Sequence, residues 1–113
     1  KTPTISTIDV PFARYDGFDL QARIYRPPGK DLPVAIDVHG GAWSSGDRKT
    51  GAHYDMALAQ SGVLVIAIDF RQGPAFTHPA ASADVAGAVR WVRVNAKTLK
   101  ADSARIGLIG SSR

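Results

Sequence analysis

The chain has 113 residues, with 14 Lys and Arg against 10 Asp and Glu and a formal net charge of +4. Apolar residues make up 44% of it, a share that is typical of a folded domain and excludes a disordered one. The basic residues are scattered, with no run and no aromatic-interleaved stripe, so nucleic acid is not expected as a partner.

The sequence also argues against a membrane-spanning protein, a disulfide-stabilised domain and a cofactor-binding protein. The longest apolar run, residues 63–68, is well short of the roughly 18 residues that suggest a membrane span. With no cysteine there is no disulfide framework, thiolate zinc site or cysteine nucleophile. No metal-ligand cluster is visible and no G-x-G-x-x-G follows a strand, so we expect no cofactor. No charged-then-apolar leader opens the chain, and we expect a cytoplasmic location.

The first 26 residues predict a β-hairpin. Apolar residues alternate on either side of Asp16-Gly17, a pair typical of a tight turn because Gly supplies the positive φ that the turn needs. A proline- and glycine-containing loop follows at residues 27–30. Residues 33–38 then form a short apolar run, which indicates a strand that ends abruptly at His39-Gly40-Gly41.

The remainder alternates helices and strands. Residues 51–60 predict a helix that stops at Gly62, with an apolar face made of Tyr54, Ala57, Leu58 and Ser61. Residues 63–68 predict a strand covered on both faces. Pro79 opens a second helix, whose apolar stripe is Val85, Ala88, Val89 and Val92. Residues 105–109 predict a third buried strand, and this order indicates an α/β fold with a parallel sheet.

One segment with chemical potential directly follows the first of these strands. It reads His39-Gly40-Gly41-Ala42-Trp43. Adjacent glycines at the end of a strand leave backbone N–H groups accessible to an anion or a developing oxyanion. On turn chemistry alone, a simple tight turn remains the alternative interpretation.

A second such segment follows the last strand and reads Gly110-Ser111-Ser112-Arg113. A buried strand followed by Gly-x-Ser is the front of a nucleophile elbow, in which a small residue two positions before the serine relieves crowding. Gly110 lies two positions before Ser112, whereas Ile109 lies two before Ser111. Ser112 is therefore the candidate nucleophile.

Together these segments resemble the α/β-hydrolase fold, and within it the esterase branch related to hormone-sensitive lipase. The resemblance spans residues 34–113. Beyond the two segments it rests on Asp69-Phe70-Arg71, Pro74, Pro79-Ala80-Ala81, Asp84, Arg90-Trp91-Val92, Asn95, Asp102 and Arg105-Ile106. It implies that residues 1–113 are the N-terminal portion of one α/β-hydrolase domain, a hairpin followed by parallel strands with flanking helices. It also implies a serine carboxylesterase that cleaves short acyl or aryl esters.

The resemblance implies roles for individual residues. Ser112 would be the nucleophile, and the backbone N–H groups of Gly41, Ala42 and Arg113 would form the oxyanion hole. His39 would organise its loop rather than act as a base. Structural links between loop and helix ends would come from Asp69, Arg71 and Asp84.

Three residues depart from the family pattern. Ala42 replaces a glycine, which is tolerable because only its N–H is needed, and it widens the substrate class toward acyl-peptide, formamidase and feruloyl-type relatives. Ala75 stands where a glutamate often follows the matched Pro74, which removes a structural polar link. Arg113 places a large side chain beside the nucleophile. This side chain would point to solvent, narrow the entrance to the site or contact an acidic substrate.

The acid and base of a catalytic triad are expected downstream of Arg113, because this fold orders them serine, acid, histidine. His39, His53 and His78 all precede the serine, and none is expected to be the base. The missing C-terminal half is thus an expected partner, beside a small-molecule ester substrate, since it would cover the apolar edge of the last strand. An amidase or peptidase on the same fold, and a non-catalytic binding protein, remain alternatives.

Overall fold

The computed structural model describes residues 2–15, 17–38, 51–70 and 78–109. In chain order its elements are β1 (Ser6–Tyr15), β2 (Phe18–Arg26), β3 (Leu32–Asp37), α1 (Ala52–Gln60), β4 (Leu64–Ile68), α2 (His78–Val94), α3 (Ala96–Leu99) and β5 (Ala101–Ile109). The strands form one sheet in the order β1-β2-β4-β3-β5. The predicted α/β architecture is confirmed.

The predicted hairpin is formed by β1 and β2. Ile8 lies opposite Ile24 and Val10 opposite Ala22 in an antiparallel ladder, and Gly17 in the turn has a φ of +86°. The register shifts between Pro11 and Ala13. Pro11 thus lies at an irregularity in a strand at the edge of the described sheet, the two places where a strand tolerates a residue without an N–H.

The centre of the sheet is parallel, as predicted. β3 pairs with β4 from Val34↔Leu64 to Asp37↔Ala67, and with β5 from Val34↔Ile106 to Asp37↔Ile109. All five residues of β4 are buried, which explains its continuous apolar sequence. The hairpin joins this parallel core through antiparallel pairing of β2 with β4.

Helices cover both faces of the sheet because side chains alternate along each strand. α2 packs Ala88 and Val92 against the face that includes Ile36 and Ile66. α1 packs Ala59 against the opposite face, made of Tyr25, Val65 and Ala67. The predicted stripe of α2 is confirmed, with Val85 and Val89 half-buried beside that core.

The predicted apolar face of α1 is wrong. Tyr54 is 53% exposed and Ala57 is exposed, whereas the buried residues of the helix are Asp55 and Ala59. The helix therefore turns the carboxyl group of Asp55 toward the sheet. The spacing of apolar residues predicts a solvent-facing position for such a group. Gly62 ends the helical region at a φ of +105°, as predicted.

The last strand also differs from its prediction. β5 begins at Ala101 rather than at residue 105, after Lys100 turns the chain in the left-handed region at a φ of 63°. It is largely exposed rather than buried, and Leu108 is 54% exposed. The physical reason is its place at the end of the described sheet, where β3 is its partner on one side.

No helix in the described part of the chain is long and apolar enough to cross a membrane.

Candidate active site

The carboxyl ends of β3 and β5 lie side by side. Asp37 pairs with Ile109, and the N–H of Val38 donates a hydrogen bond to the carbonyl of Ile109 at 2.8 Å. His39 follows Val38 and Gly110 follows Ile109 directly in the sequence. The two segments that the sequence singled out therefore leave the sheet at neighbouring positions of one edge.

The predicted site residues themselves lie outside the described residues. This applies to His39, Gly41 and Ala42 on the first segment and to Ser112 and Arg113 on the second. It applies also to Arg71 and Ala75, on the segment that follows β4. Their roles stay predictions, and the structure places the strand ends from which their segments start.

The end of β4 reaches the same edge, since Ala67 pairs with Asp37. Just beyond it, the N–H of Asp69 donates to the carbonyl of Gln21 at 2.9 Å, and the N–H of Gln21 donates to Oδ2 of Asp69 at 3.2 Å. The described bonds of Asp69 thus tie the end of β4 to β2. Asp84 is buried on α2, with 1% of its surface exposed.

An apolar groove runs beside this edge, between α2 and the end of the sheet. Its volume is about 540 Å³ and its lining includes Val38, Phe70, Val85, Val89 and Leu108. Val38 and Leu108 belong to the two chain stretches that end at the candidate site. Apolar surface thus continues from the core to the ends of β3 and β5, from which the two segments start.

A buried carboxyl pair lies on the opposite face, under α1. Asp37 pairs with Ala67 in the sheet, so both side chains point toward the face that α1 covers. Asp37 is 1% exposed and Asp55 is fully buried. Burial first, and then a hydrogen bond and the charge of Asp37, raise the pKa of Asp55 from 3.8 to about 8.

The burial of these two carboxyl groups was not predicted from the sequence. The signal for Asp37 was a carboxylate at the end of an apolar strand, and the signal for Asp55 was its helical spacing from Ala59. Tyr25 faces the same layer from β2 with 2% of its surface exposed. Its pKa is raised by burial first and then by the negative charge of Asp55.

The chain that forms these strand ends matches a known protein family. The BD-FAE family model matches residues 23–113, which include both candidate segments and every strand from β3 onward. The chain belongs to the BD-FAE family. Its sheet is the N-terminal part of an α/β-hydrolase fold, as the sequence predicted.

Relatives of this BD-FAE chain carry esterase names. It is 38% identical over 104 residues to the carboxylesterase NlhH of Mycobacterium tuberculosis, and the match covers 87% of this chain and 32% of that protein. It is 35% identical over 109 residues to the ethyl acetate hydrolase of Pseudomonas putida, covering 92% of this chain and 34% of that protein. EstE1, a thermophilic carboxylesterase cloned from a metagenomic library, superposes with a TM-score of 0.86 and 31% identity over 99% of this chain and 38% of that structure.

The BD-FAE chain spans about a third of the length of the curated relatives it matches. Within the described ranges, no group of three or more His, Cys, Asp and Glu side chains could hold a metal ion. His53 lies exposed on α1.

Proposed function

We propose that the complete protein is a serine carboxylesterase that cleaves short acyl or aryl esters through an acyl-enzyme on Ser112. The observation that carries the proposal is the parallel pairing of Asp37 with Ile109. Because of this pairing, the glycine segment and the serine segment start from adjacent strands. Adjacent strands in a sheet lie about 4.8 Å apart. The esterase names of the relatives support the reaction class.

The first half-reaction forms the acyl-enzyme. The hydroxyl oxygen of Ser112 attacks the ester carbonyl while a histidine base takes its proton. The backbone N–H groups of Gly41, Ala42 and Arg113 donate hydrogen bonds to the oxyanion of the tetrahedral intermediate. Each such donor is typically worth about 3–4 kcal/mol in the transition state. Collapse of the intermediate breaks the ester C–O bond, and the alcohol leaves with the proton from the histidine.

The second half-reaction returns the serine. Water attacks the acyl carbonyl while the same histidine takes its proton, and the same donors hold the new oxyanion. Collapse breaks the bond to Ser112, which regains a proton as the carboxylic acid leaves. The protein needs no cofactor for either step.

The acid and base come from a C-terminal half of the same domain, which completes the sheet at β5. Two observations support this partner. β5 lies at the end of the described sheet, and Leu108 next to the groove is 54% exposed. An exposed apolar edge strand of this kind is normally paired or covered in a stable protein.

The test is active-site labelling of the complete protein. Intact mass is measured before and after reaction with a fluorophosphonate, and the modified residue is mapped by peptide sequencing. We expect one adduct, on Ser112, which Ser112→Ala abolishes and the matched control Ser111→Ala leaves in place. An adduct on Ser111, or none on a folded protein, contradicts the proposal, and the second result favours a binding protein of this fold.

A series of p-nitrophenyl esters and one matched anilide then separates esterase from amidase. We expect kcat/KM to be highest for acetyl to butyryl esters and at least about a hundredfold lower for the anilide, since an amine is a poorer leaving group. A higher kcat/KM for the anilide would instead assign the protein to the amidase class.

A further inference from the structure

A second groove lies at the end of the sheet opposite the strand ends that start the two candidate segments. Tyr25 of β2 pairs with Val65, the second residue of β4, so the end of β2 lies beside the amino end of β4. β1 and β2 form one wall of this hairpin groove, and the last part of α2 together with α3 forms the other. Its volume is about 250 Å³, and its lining includes Ser6, Ile8, Ile24, Arg26, Trp91 and Thr98.

The strand wall of the hairpin groove is apolar because of the register between β1 and β2. Ile8 lies opposite Ile24 in the antiparallel ladder, and residues directly opposite each other point to the same face of a sheet. Ile24 packs in the core beneath α2, whereas Ile8 remains 55% exposed beside the groove. Ile8 therefore offers apolar surface that an apolar ligand would remove from water.

The helical wall is one continuous surface although α2 and α3 are separate elements. The N–H of Asn95 donates to the carbonyl of Trp91 at 3.0 Å, and the N–H of Leu99 donates to the carbonyl of Asn95 at 2.9 Å. Both bonds have α-helical spacing, so the helical path continues from α2 through Asn95 into α3. Trp91, Asn95 and Thr98 are spaced to share one side of this path, and all three line the groove. The indole of Trp91 gives this wall a large apolar surface.

One end of the hairpin groove is polar and carries a positive charge. Ser6 lies opposite Arg26, two residues along the ladder from the pair of Ile8 and Ile24, so both side chains lie on the groove side. Arg26 is half-buried and is the charged residue of the lining. The hydroxyl groups of Ser6 and Thr98 supply further hydrogen-bond donors to the groove.

No carboxylate among the described residues pairs with Arg26. Ion pairs within the described ranges join Asp9 to Arg23, Asp19 to Arg14 and Asp102 to Arg105. The helical wall adds positive charge, since residues 85–100 contain no Asp or Glu and include Arg90, Arg93, Lys97 and Lys100. A groove that is apolar along its walls and positive at one end is complementary to an anion with an apolar body.

We propose that the hairpin groove binds a small monocarboxylate, whose carboxylate pairs with Arg26 and whose hydrocarbon chain lies along Ile8 and Trp91. A guanidinium presents two N–H groups in the geometry that a carboxylate accepts, so it binds this anion more strongly than a single donor does. The volume of the groove is below the roughly 300–1,000 Å³ of pockets for drug-sized ligands, which suits a short chain. This inference goes beyond the proposed function and does not depend on it.

Isothermal titration calorimetry of the complete protein with sodium hexanoate tests the site. We expect hexanoate to bind with a Kd of about 0.1–1 mM. Acetate lacks the longer chain and hexanol lacks the charge, and we expect each to bind at least about tenfold more weakly than hexanoate. Equal affinity for acetate would contradict the role of Ile8 and Trp91, and equal affinity for hexanol would contradict the role of Arg26.

Arg26→Gln removes the charge and keeps a polar side chain, and we expect it to weaken hexanoate binding at least about tenfold. The matched control is Arg14→Gln, the same change on the same hairpin at an arginine that is 79% exposed, and it should bind hexanoate as the parent does. Unchanged affinity in Arg26→Gln, or an equal loss in Arg14→Gln, refutes the site. Should Arg26→Gln fail to fold by circular dichroism, Ser6→Asp serves in its place. It puts a carboxylate opposite Arg26, which should pair with the guanidinium and weaken hexanoate binding to a similar extent.

A label on the candidate nucleophile separates this site from the proposed function, because a carboxylic acid is also a product of ester hydrolysis. Protein labelled with fluorophosphonate should bind hexanoate as tightly as unlabelled protein. The indole N–H resonance of Trp91, assigned through Trp91→Phe, should shift on binding. Loss of binding after labelling, or an unmoved Trp91 resonance, would overturn the inference. If the protein takes up no label, the esterase proposal fails, and the comparison of Arg26→Gln with Arg14→Gln still decides the site.

Discussion

The N–H of Val38 donates a hydrogen bond to the carbonyl of Ile109 at 2.8 Å. Val38 precedes the glycine segment and Ile109 precedes the serine segment, so this bond connects the two halves of the candidate site before either leaves the sheet. β3 and β5 are adjacent in space and far apart in sequence. Their register therefore decides how the starting points of the proposed oxyanion and nucleophile segments lie relative to each other.

Removing this donor should impair activity more than it impairs folding. Val38→Pro deletes the N–H, and a proline at the end of a strand costs a ladder hydrogen bond. We expect the free energy of unfolding to fall by about 1–2 kcal/mol and kcat to fall at least about a hundredfold, since misplacement of reacting groups by 1 Å is that costly.

Val38→Thr is the control, because it retains both the N–H and the β-branched shape. It should keep kcat within about threefold of the parent. Denaturant unfolding and p-nitrophenyl ester kinetics measure the two effects. Equal losses of kcat in both variants would show that the hydrogen bond is irrelevant to the site.

One substitution, glycine to alanine, should have opposite effects at two positions. Gly62 has a φ of +105° with no atom near its missing Cβ, so an alanine there is strained although space is available. Gly62→Ala should lower the free energy of unfolding by about 1 kcal/mol.

Gly87 lies inside α2, where an added Cβ meets an ordinary contact of 3.8 Å from Arg90. Gly87→Ala should raise the free energy of unfolding by about 0.5–1 kcal/mol, because alanine favours a helix over glycine. Urea denaturation of both variants against the parent tests the signs. A stabilising Gly62→Ala would show that the backbone at that turn relaxes.

The strands and helices could largely be predicted because each follows from a local pattern. The apolar run 63–68 gave β4, and the stripe through Ala88 and Val92 gave α2. The buried face of α1 could not be predicted in this way. The packing of α1 on the sheet buries Asp55 together with Ala59, and the spacing of apolar residues within the helix does not mark a carboxyl group for burial.

The candidate site divides along the same line. Its two segments could be found from glycines and a serine beside strand ends, since those residue types suit an oxyanion hole and a nucleophile elbow. Their juxtaposition required the crossover that places β5 next to β3. The exposure of β5 depends on which part of the protein packs against its outer side. The apolar sequence of β5 does not specify that packing.

A bidentate ion pair connects the two hairpin strands and should contribute modestly to stability. Arg23 holds Asp9 through two hydrogen bonds, and both side chains are less than a third exposed. Arg23→Leu should lower the free energy of unfolding by about 0.5–1 kcal/mol at low salt, and less at 1 M salt.

Arg14 provides the comparison, because its ion pair with Asp19 leaves its side chain 79% exposed. Arg14→Leu should change the free energy of unfolding by no more than about 0.3 kcal/mol. The two variants are compared by denaturant unfolding at both salt concentrations. A larger effect for Arg14→Leu would mean that the partial burial of the Arg23 ion pair adds nothing to its strength.

A charge on the exposed side of β5 tests whether that surface is covered in the complete protein. Leu108 is 54% exposed in the described structure and borders the apolar groove. If a C-terminal half packs there, Leu108→Lys buries an ammonium group, and we expect a loss of about 2–4 kcal/mol in the free energy of unfolding. Ser103→Lys, at an exposed position near the start of the same strand, should cost less than about 0.5 kcal/mol. Thermal and urea unfolding of the complete protein decide between the two expectations, and a tolerated Leu108→Lys would leave this edge of the sheet facing solvent.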